Sequence, residues 1–320
     1  MVVTTNPTLD FRTNIIHALK RVVASPSAGF YAAVWCASAL VLVVGGAGPS
    51  VLVSLLVGLV LLLLSLLVVG ITLPAPAAAA RTGGMSTGKP RTGRTRRRVW
   101  LQLGLGVVFV VLTGWNNLAF HHVLPQGSGL PGWTALVGWL QRLGEQWFGA
   151  GLGSYVVNPV TYVAIPLVLL LLAGARPSTL GFGRGHRVGR ALLICCALPF
   201  AWFVFVLATG QSTVSRLLGN LAADVIQSGF VEEFLFRGVL QTRLRFLAGT
   251  GWALVLQALL FGVWHLGLGF TNTGHAGLVP ALASTIVHQS LIGLALGILF
   301  ERTRNLVVPS VVHVALNSMG

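Results

Sequence analysis

Acidic residues are scarce in this 320-residue chain: Asp and Glu number 6, against 21 Lys and Arg. Charge of either sign is thin, at 8% of residues, while 55% are hydrophobic and mean hydropathy is +0.84. So little polar surface excludes a soluble globular protein and points to a polytopic membrane protein. Cysteine is equally sparse. Cys36, Cys195 and Cys196 all fall in apolar runs without CxxC spacing, which excludes a disulfide framework and a thiolate metal site and leaves them as small core residues. HExxH does not occur, and no GxSxG lies near the polar residues of the carboxy-terminal third, so neither signature supports a zincin or a serine nucleophile there. The basic excess sits between apolar runs without aromatic interleaving, which suits a membrane surface with anionic headgroups and not nucleic acid.

What the chain does have is apolar runs of spanning length, at 29–48, 51–73, 99–120, 155–174, 191–209, 218–240, 251–269, 279–300 and 306–320. They predict an all-α polytopic bundle of eight or nine transmembrane helices. The last run has 15 residues, short of the roughly 20 a crossing needs, and is expected to be held against its neighbours. The first run begins far from Met1, so a retained span is expected in place of a cleaved signal.

Basic clusters precede the first span (Arg12, Lys20, Arg21) and fill the linker from Arg81 to Arg98. Others lie at Arg176 to Arg190, at Arg243 with Arg245, and at Arg302 with Arg304. With nine spans and a cytoplasmic amino terminus, all of them fall on the cytoplasmic face of a plasma membrane.

The chain thus divides into a cytoplasmic segment with a surface-lying helix (1–28), a first transmembrane hairpin (29–73) and a basic flexible linker (74–98). Middle helices with an interfacial loop follow (99–189), then a carboxy-terminal core (190–320). Trp133, Trp139 and Trp147 suit a helix lying at headgroup depth.

The carboxy-terminal core holds the polar residues that apolar surroundings make costly. Glu232 and Glu233 are adjacent, with Arg237 one turn on. On a helix, Glu233 and Arg237 are related by i and i+4 with the acid first, the better order for an ion pair. Glu232 is rotated from its neighbour by about 100°. Glu233 is therefore expected to be neutralised by Arg237, leaving Glu232 free to act as a general base. Phe261 and His265 follow on the next span; His313 and Asn317, again i and i+4, lie on the last. An imidazole and a carboxamide on one face offer N–H donors of the kind an oxyanion requires. Counted at 1.5 Å per residue from one face, Glu232, His265 and His313 all reach the middle of the bilayer.

His288, mid-span, is expected to make a buried hydrogen bond to a neighbouring helix, and Asp224 to be a surface or helix-start acid. Glu301 with Arg302 and Arg304 is expected to be an interfacial charge cluster, and His121, His122 and His275 fall in loops.

In order, EExxxR, FxxxH and HxxxN on successive membrane helices resemble the CPBP family of intramembrane proteases, which includes the CAAX prenyl endopeptidases. The resemblance covers roughly residues 190–320. It implies a helical bundle with an active-site cavity inside the membrane, where membrane-associated or CAAX-like proteins are hydrolysed. Carried over, Glu232 with His265 would activate water, His313 with Asn317 would stabilise the oxyanion, and Glu233, Arg237 and Phe261 would support them. Glu232, His265 and His313 could also supply three ligands to Zn with an open position for water. A glutamate-activated water needs no metal, so no cofactor is the preferred reading. Membrane lipids and a protein or peptide substrate are the implied partners. Outside the enzyme class, a scaffold or immunity factor on the same fold, or a proton-coupled carrier, remains open. No oligomeric state follows from the sequence.

Overall fold

The computed structural model describes residues 25–72, 93–125 and 127–319. The surface helix expected in 1–28 and most of the linker 74–98 lie outside the described residues. Among the described residues all regular structure is helical, without strands. That is the form an apolar solvent demands, because each helix satisfies its own backbone hydrogen bonds.

The first hairpin comprises α1 (Pro26–Val44) and α2 (Gly48–Thr72). Ser25 starts α1 by accepting a hydrogen bond from the Ala28 amide at 3.2 Å, with Pro26 at the first helical position, where its missing N–H costs nothing. Then come α3 (Gly93–Phe120), α4 (Trp133–Phe148), α5 (Ser154–Leu172) and α6 (Val188–Ala208). On α4, Trp139 and Trp147 are exposed, while Trp133 donates from its indole to Asn116 at 2.9 Å.

The next helical run, Val214–Trp264, has 51 residues. Straight, it would extend about 77 Å, more than twice the hydrocarbon thickness. It breaks at Gly249, whose φ of 83° and ψ of 170° lie in a region open essentially to glycine alone. The two arms, α7 (214–248) and α8 (250–264), fold back on each other. The Phe236 and Phe261 rings meet edge-on at 5.0 Å, and Gln241 and Gln257 donate to the carbonyls of Gly297 and Gly293 on one helix at 2.9 Å each. After the short α9 (Leu266–Asn272), α10 (Leu278–Thr303) and α11 (Val307–Met319) complete the chain.

Seven helices among the described residues are long and apolar enough to span, counting Val214–Trp264 once. Dividing that run at Gly249 aligns the elements with the nine apolar runs of the sequence. The short α11 packs through Val308 and Val312 against Ala191 and Cys195 of α6 and Leu296 and Leu299 of α10. Every residue from Val231 to Arg243 is buried, so α7 is the axis of the bundle. Its apolar jacket includes Phe109 and Val110 of α3 and Tyr162 of α5; helices before residue 190 therefore wall the carboxy-terminal core. By contrast, α1, α2 and α6 present large apolar side chains such as Leu40, Leu52 and Phe200 outward, as lipid-facing helices do.

Two peripheral expectations change and one is extended. Cys195 is buried, but Cys36 is exposed and is not a core residue. Glu301 pairs with Arg304 and, unexpectedly, with Arg245 of α7 at 2.9 Å. His288 bonds the Ser284 carbonyl of its own helix at 2.7 Å instead of a neighbouring helix, because the i−4 carbonyl lies within reach of Nδ1 once the helix loosens there.

Candidate active site

The glutamate doublet occupies one α-helical turn, Phe230–Glu233, between π-helical stretches at Val225–Gly229 and Phe234–Gln241. Such stretches recur at functional positions because they shift side chains around the helix axis. Glu233 and Arg237, both wholly buried, form the i,i+4 ion pair at 2.8 Å. The guanidinium also donates to the Gly293 carbonyl at 3.0 Å and lies 4.6 Å above the centre of the Phe261 ring. A buried charge is tolerable when it is paired and hydrogen-bonded in this way.

Glu232 has no such neutralisation. Its Oε2 is buried without a hydrogen bond, 3.7 Å from His265 Nε2 and 3.9 Å from His313 Nε2. Both separations exceed a hydrogen bond and suit a small bridging group.

The opposite nitrogen of each imidazole is anchored. His265 Nδ1 lies 2.9 Å from the Phe261 carbonyl, and His313 Nδ1 lies 2.9 Å from Glu233 Oε1. A carbonyl and a carboxylate only accept, so both Nδ1 atoms carry the proton. In the neutral ring each Nε2 then presents a lone pair towards Glu232. Phe261 holds the arrangement together, its ring centre 4.5 Å from that of His265 and 5.9 Å from that of His313.

The structure thus brings together Glu232, Glu233, Arg237, Phe261, His265 and His313, from α7, α8 and α11. Asn317 stands apart: one turn beyond His313 it is exposed, and its amide donates to Ser228 at 2.8 Å. Beside it, Ser318 donates to Asp224 at 2.8 Å, giving that acid a helix-tying role. Three further residues border the site without any sequence motif. Trp264 meets the His265 ring at 4.7 Å and donates to Thr113 of α3 at 3.0 Å, while Tyr162 of α5 meets Trp264 edge-on at 5.7 Å.

A cavity of about 560 Å³ lies elsewhere, lined by Phe200 of α6, Val225 and Phe230 of α7, and Val311 and Val314 of α11. None of Glu232, Glu233, His265 and His313 lines it.

The donors around Glu232 also bear on zinc. Tetrahedral bonds of about 2.0–2.1 Å place neighbouring ligand atoms about 3.4 Å apart. The separations of 3.7 and 3.9 Å are wider, and among the described residues no group of three His, Cys, Asp or Glu is placed to hold a metal ion. As they stand, these side chains do not fit a zinc ion.

Residues 214–319, from α7 to α11, match the family described as Type II CAAX prenyl endopeptidase Rce1-like. The matched segment contains all three motifs and bears out the resemblance to the CPBP family. In general terms it supports intramembrane endopeptidase activity. No curated protein and no solved structure matches the chain.

Proposed function

We propose that the protein is an intramembrane endopeptidase in which Glu232 and His265 activate a water for attack on a peptide bond. The observation that carries this reading is the unbonded Glu232 Oε2 facing the Nε2 atoms of His265 and His313, with its twin Glu233 fully engaged elsewhere. Hydrogen bonds of about 2.8 Å from one water to both Oε2 and His265 Nε2 are compatible with their 3.7 Å separation.

The water donates one proton towards each group, leaving an oxygen lone pair for the carbonyl carbon. As the C–O bond forms, Glu232 takes a proton and the carbonyl π pair moves onto the oxygen. His313, as imidazolium, donates to that oxygen from Nε2 while Glu233 holds its Nδ1–H. Asn317 joins it by exchanging Ser228 for the oxyanion. Collapse breaks the C–N bond, and the leaving amine takes the proton from Glu232.

The buried position of the site and the family match favour membrane-associated or CAAX-like protein substrates, and the placing of the basic clusters favours a plasma membrane with the amino terminus cytoplasmic. No resident metal enters this mechanism.

The test is cleavage of a library of quenched peptides by purified protein in liposomes, comparing wild type with Glu232→Gln and His265→Ala. Cleavage by wild type, lost in both variants while they remain folded, is expected. A folded wild type that cleaves nothing would overturn the enzyme reading in favour of a scaffold or carrier.

A further inference from the structure

Tyr162 lies within the π-helical stretch Pro159–Ala164 of α5, against the helical turn that carries Glu232. Its ring is buried among Val231, Leu235 and Trp264, with 6% of the residue exposed. Val231, which shares that cluster, is the residue directly before Glu232. The phenol hydroxyl, unlike Glu232 Oε2, is not sealed off from solvent. Here no group among the described residues hydrogen-bonds the Tyr162 hydroxyl, although the neighbouring Trp264 indole and Thr161 hydroxyl are both engaged.

The other donors of the site are committed or lack a proton. His265 and His313 spend their Nδ1–H on Phe261 and Glu233, and Asn317 spends one amide N–H on Ser228. On the reading above a charged His313 and Asn317 would supply two donors, but Asn317 must first give up Ser228, so a donor with no bond to break would add to the pair. Tyr162 and His265 also pack on the same indole, so the phenol is positioned together with the histidine that orients the water.

We propose that Tyr162 is a further catalytic residue, its O–H donating a hydrogen bond to the substrate carbonyl oxygen as negative charge develops there. The proton stays on tyrosine throughout, so the step adds no acid or base to the hydrolysis. The proposal rests on the hydrolytic reading above.

Tyr162→Phe removes the hydroxyl and keeps the ring. The experiment compares its kcat and KM with those of wild type and Glu232→Gln on a peptide that wild type cleaves. It adds the affinity for two non-cleaved analogues: a peptidyl phosphinate, which mimics the tetrahedral anion, and a planar N-methyl amide. The expected result is a kcat lower by about 10²-fold or more, an unchanged KM and melting temperature, and weaker binding of the phosphinate alone. Wild-type kcat in Tyr162→Phe beside an inactive Glu232→Gln overturns the tyrosine role and leaves the hydrolytic reading intact. Equal weakening of both analogues with a lowered melting temperature overturns it too, as the mark of a structural residue. A silent wild type takes down both readings together.

Discussion

His313 Nδ1 and Glu233 Oε1 lie 2.9 Å apart across 80 residues of chain, and the same oxygen receives Arg237 at 2.8 Å. One carboxylate oxygen therefore ties α11 to α7 and turns the far edge of the imidazole towards Glu232. The two adjacent glutamates are built for different work, and substitution separates them.

Glu232→Gln keeps shape and removes the base; hydrolysis should be lost with the melting temperature unchanged. Glu233→Gln leaves the fully buried Arg237 without its counter-charge, at a cost of about 3–5 kcal/mol. Its melting temperature in detergent should fall, and activity with it. Equal melting of the two variants would contradict the division of labour.

A second expectation concerns Gly229, where α11 crosses α7. A Cβ built there would stand 2.2 Å from Val314 Cγ2 and 3.2 Å from the Val314 backbone nitrogen. Gly229→Ala must displace the Val314 side chain and is expected to shift α11, which carries His313, away from α7. Overpacking of this kind costs about 1–3 kcal/mol, and a displacement near 1 Å at a reacting group is worth about 10²-fold in rate. Gly219→Ala, on the same helix with nothing within 4 Å, is the control and should cleave at the wild-type rate.

Gly249 isolates a backbone effect from a packing effect. No atom lies within 4 Å of a Cβ built there, but its φ is 83° and its ψ 170°. Gly249→Ala should therefore destabilise the hairpin of α7 and α8 by about 1–3 kcal/mol through conformation alone, read as a lower melting temperature. If alanine is neutral, the bend does not depend on a glycine-only conformation.

These cases show what the sequence carries. Local relations were legible: the apolar runs, the ion pair of Glu233 with Arg237 at i,i+4, and the separate direction of Glu232 all follow from helical periodicity. The break at Gly249 was visible only as a gap between two apolar runs, since a glycine's φ is not written in composition. Long-range relations were not legible. The bond from His313 to Glu233 depends on how α11 crosses α7, and that crossing is set by small contacts such as Gly229 on Val314. For the same reason the i,i+4 spacing of His313 and Asn317 placed both on one helix face but did not foresee Ser228 as the Asn317 partner. Tyr162, Thr113 and Trp264 border the site from helices whose only sequence signal is an aromatic or hydroxyl residue in an apolar run, a pattern ordinary core packing also produces.

The last expectation concerns metal. Glu232 Oε2 stands 3.7 and 3.9 Å from the two Nε2 atoms, against about 3.4 Å between ligands of a tetrahedral zinc ion. Closing that gap would require α8 and α11 to move towards α7. Phe261, packed against His265, His313 and Arg237, resists such a movement. Cleavage by wild-type protein should therefore persist after dialysis against a strong chelator, and added Zn should not raise it. His265→Ala and His313→Ala should each lower it whether or not chelator is present. If chelation abolishes cleavage and Zn restores it, the three side chains become ligands, and Glu232 loses its role as the base.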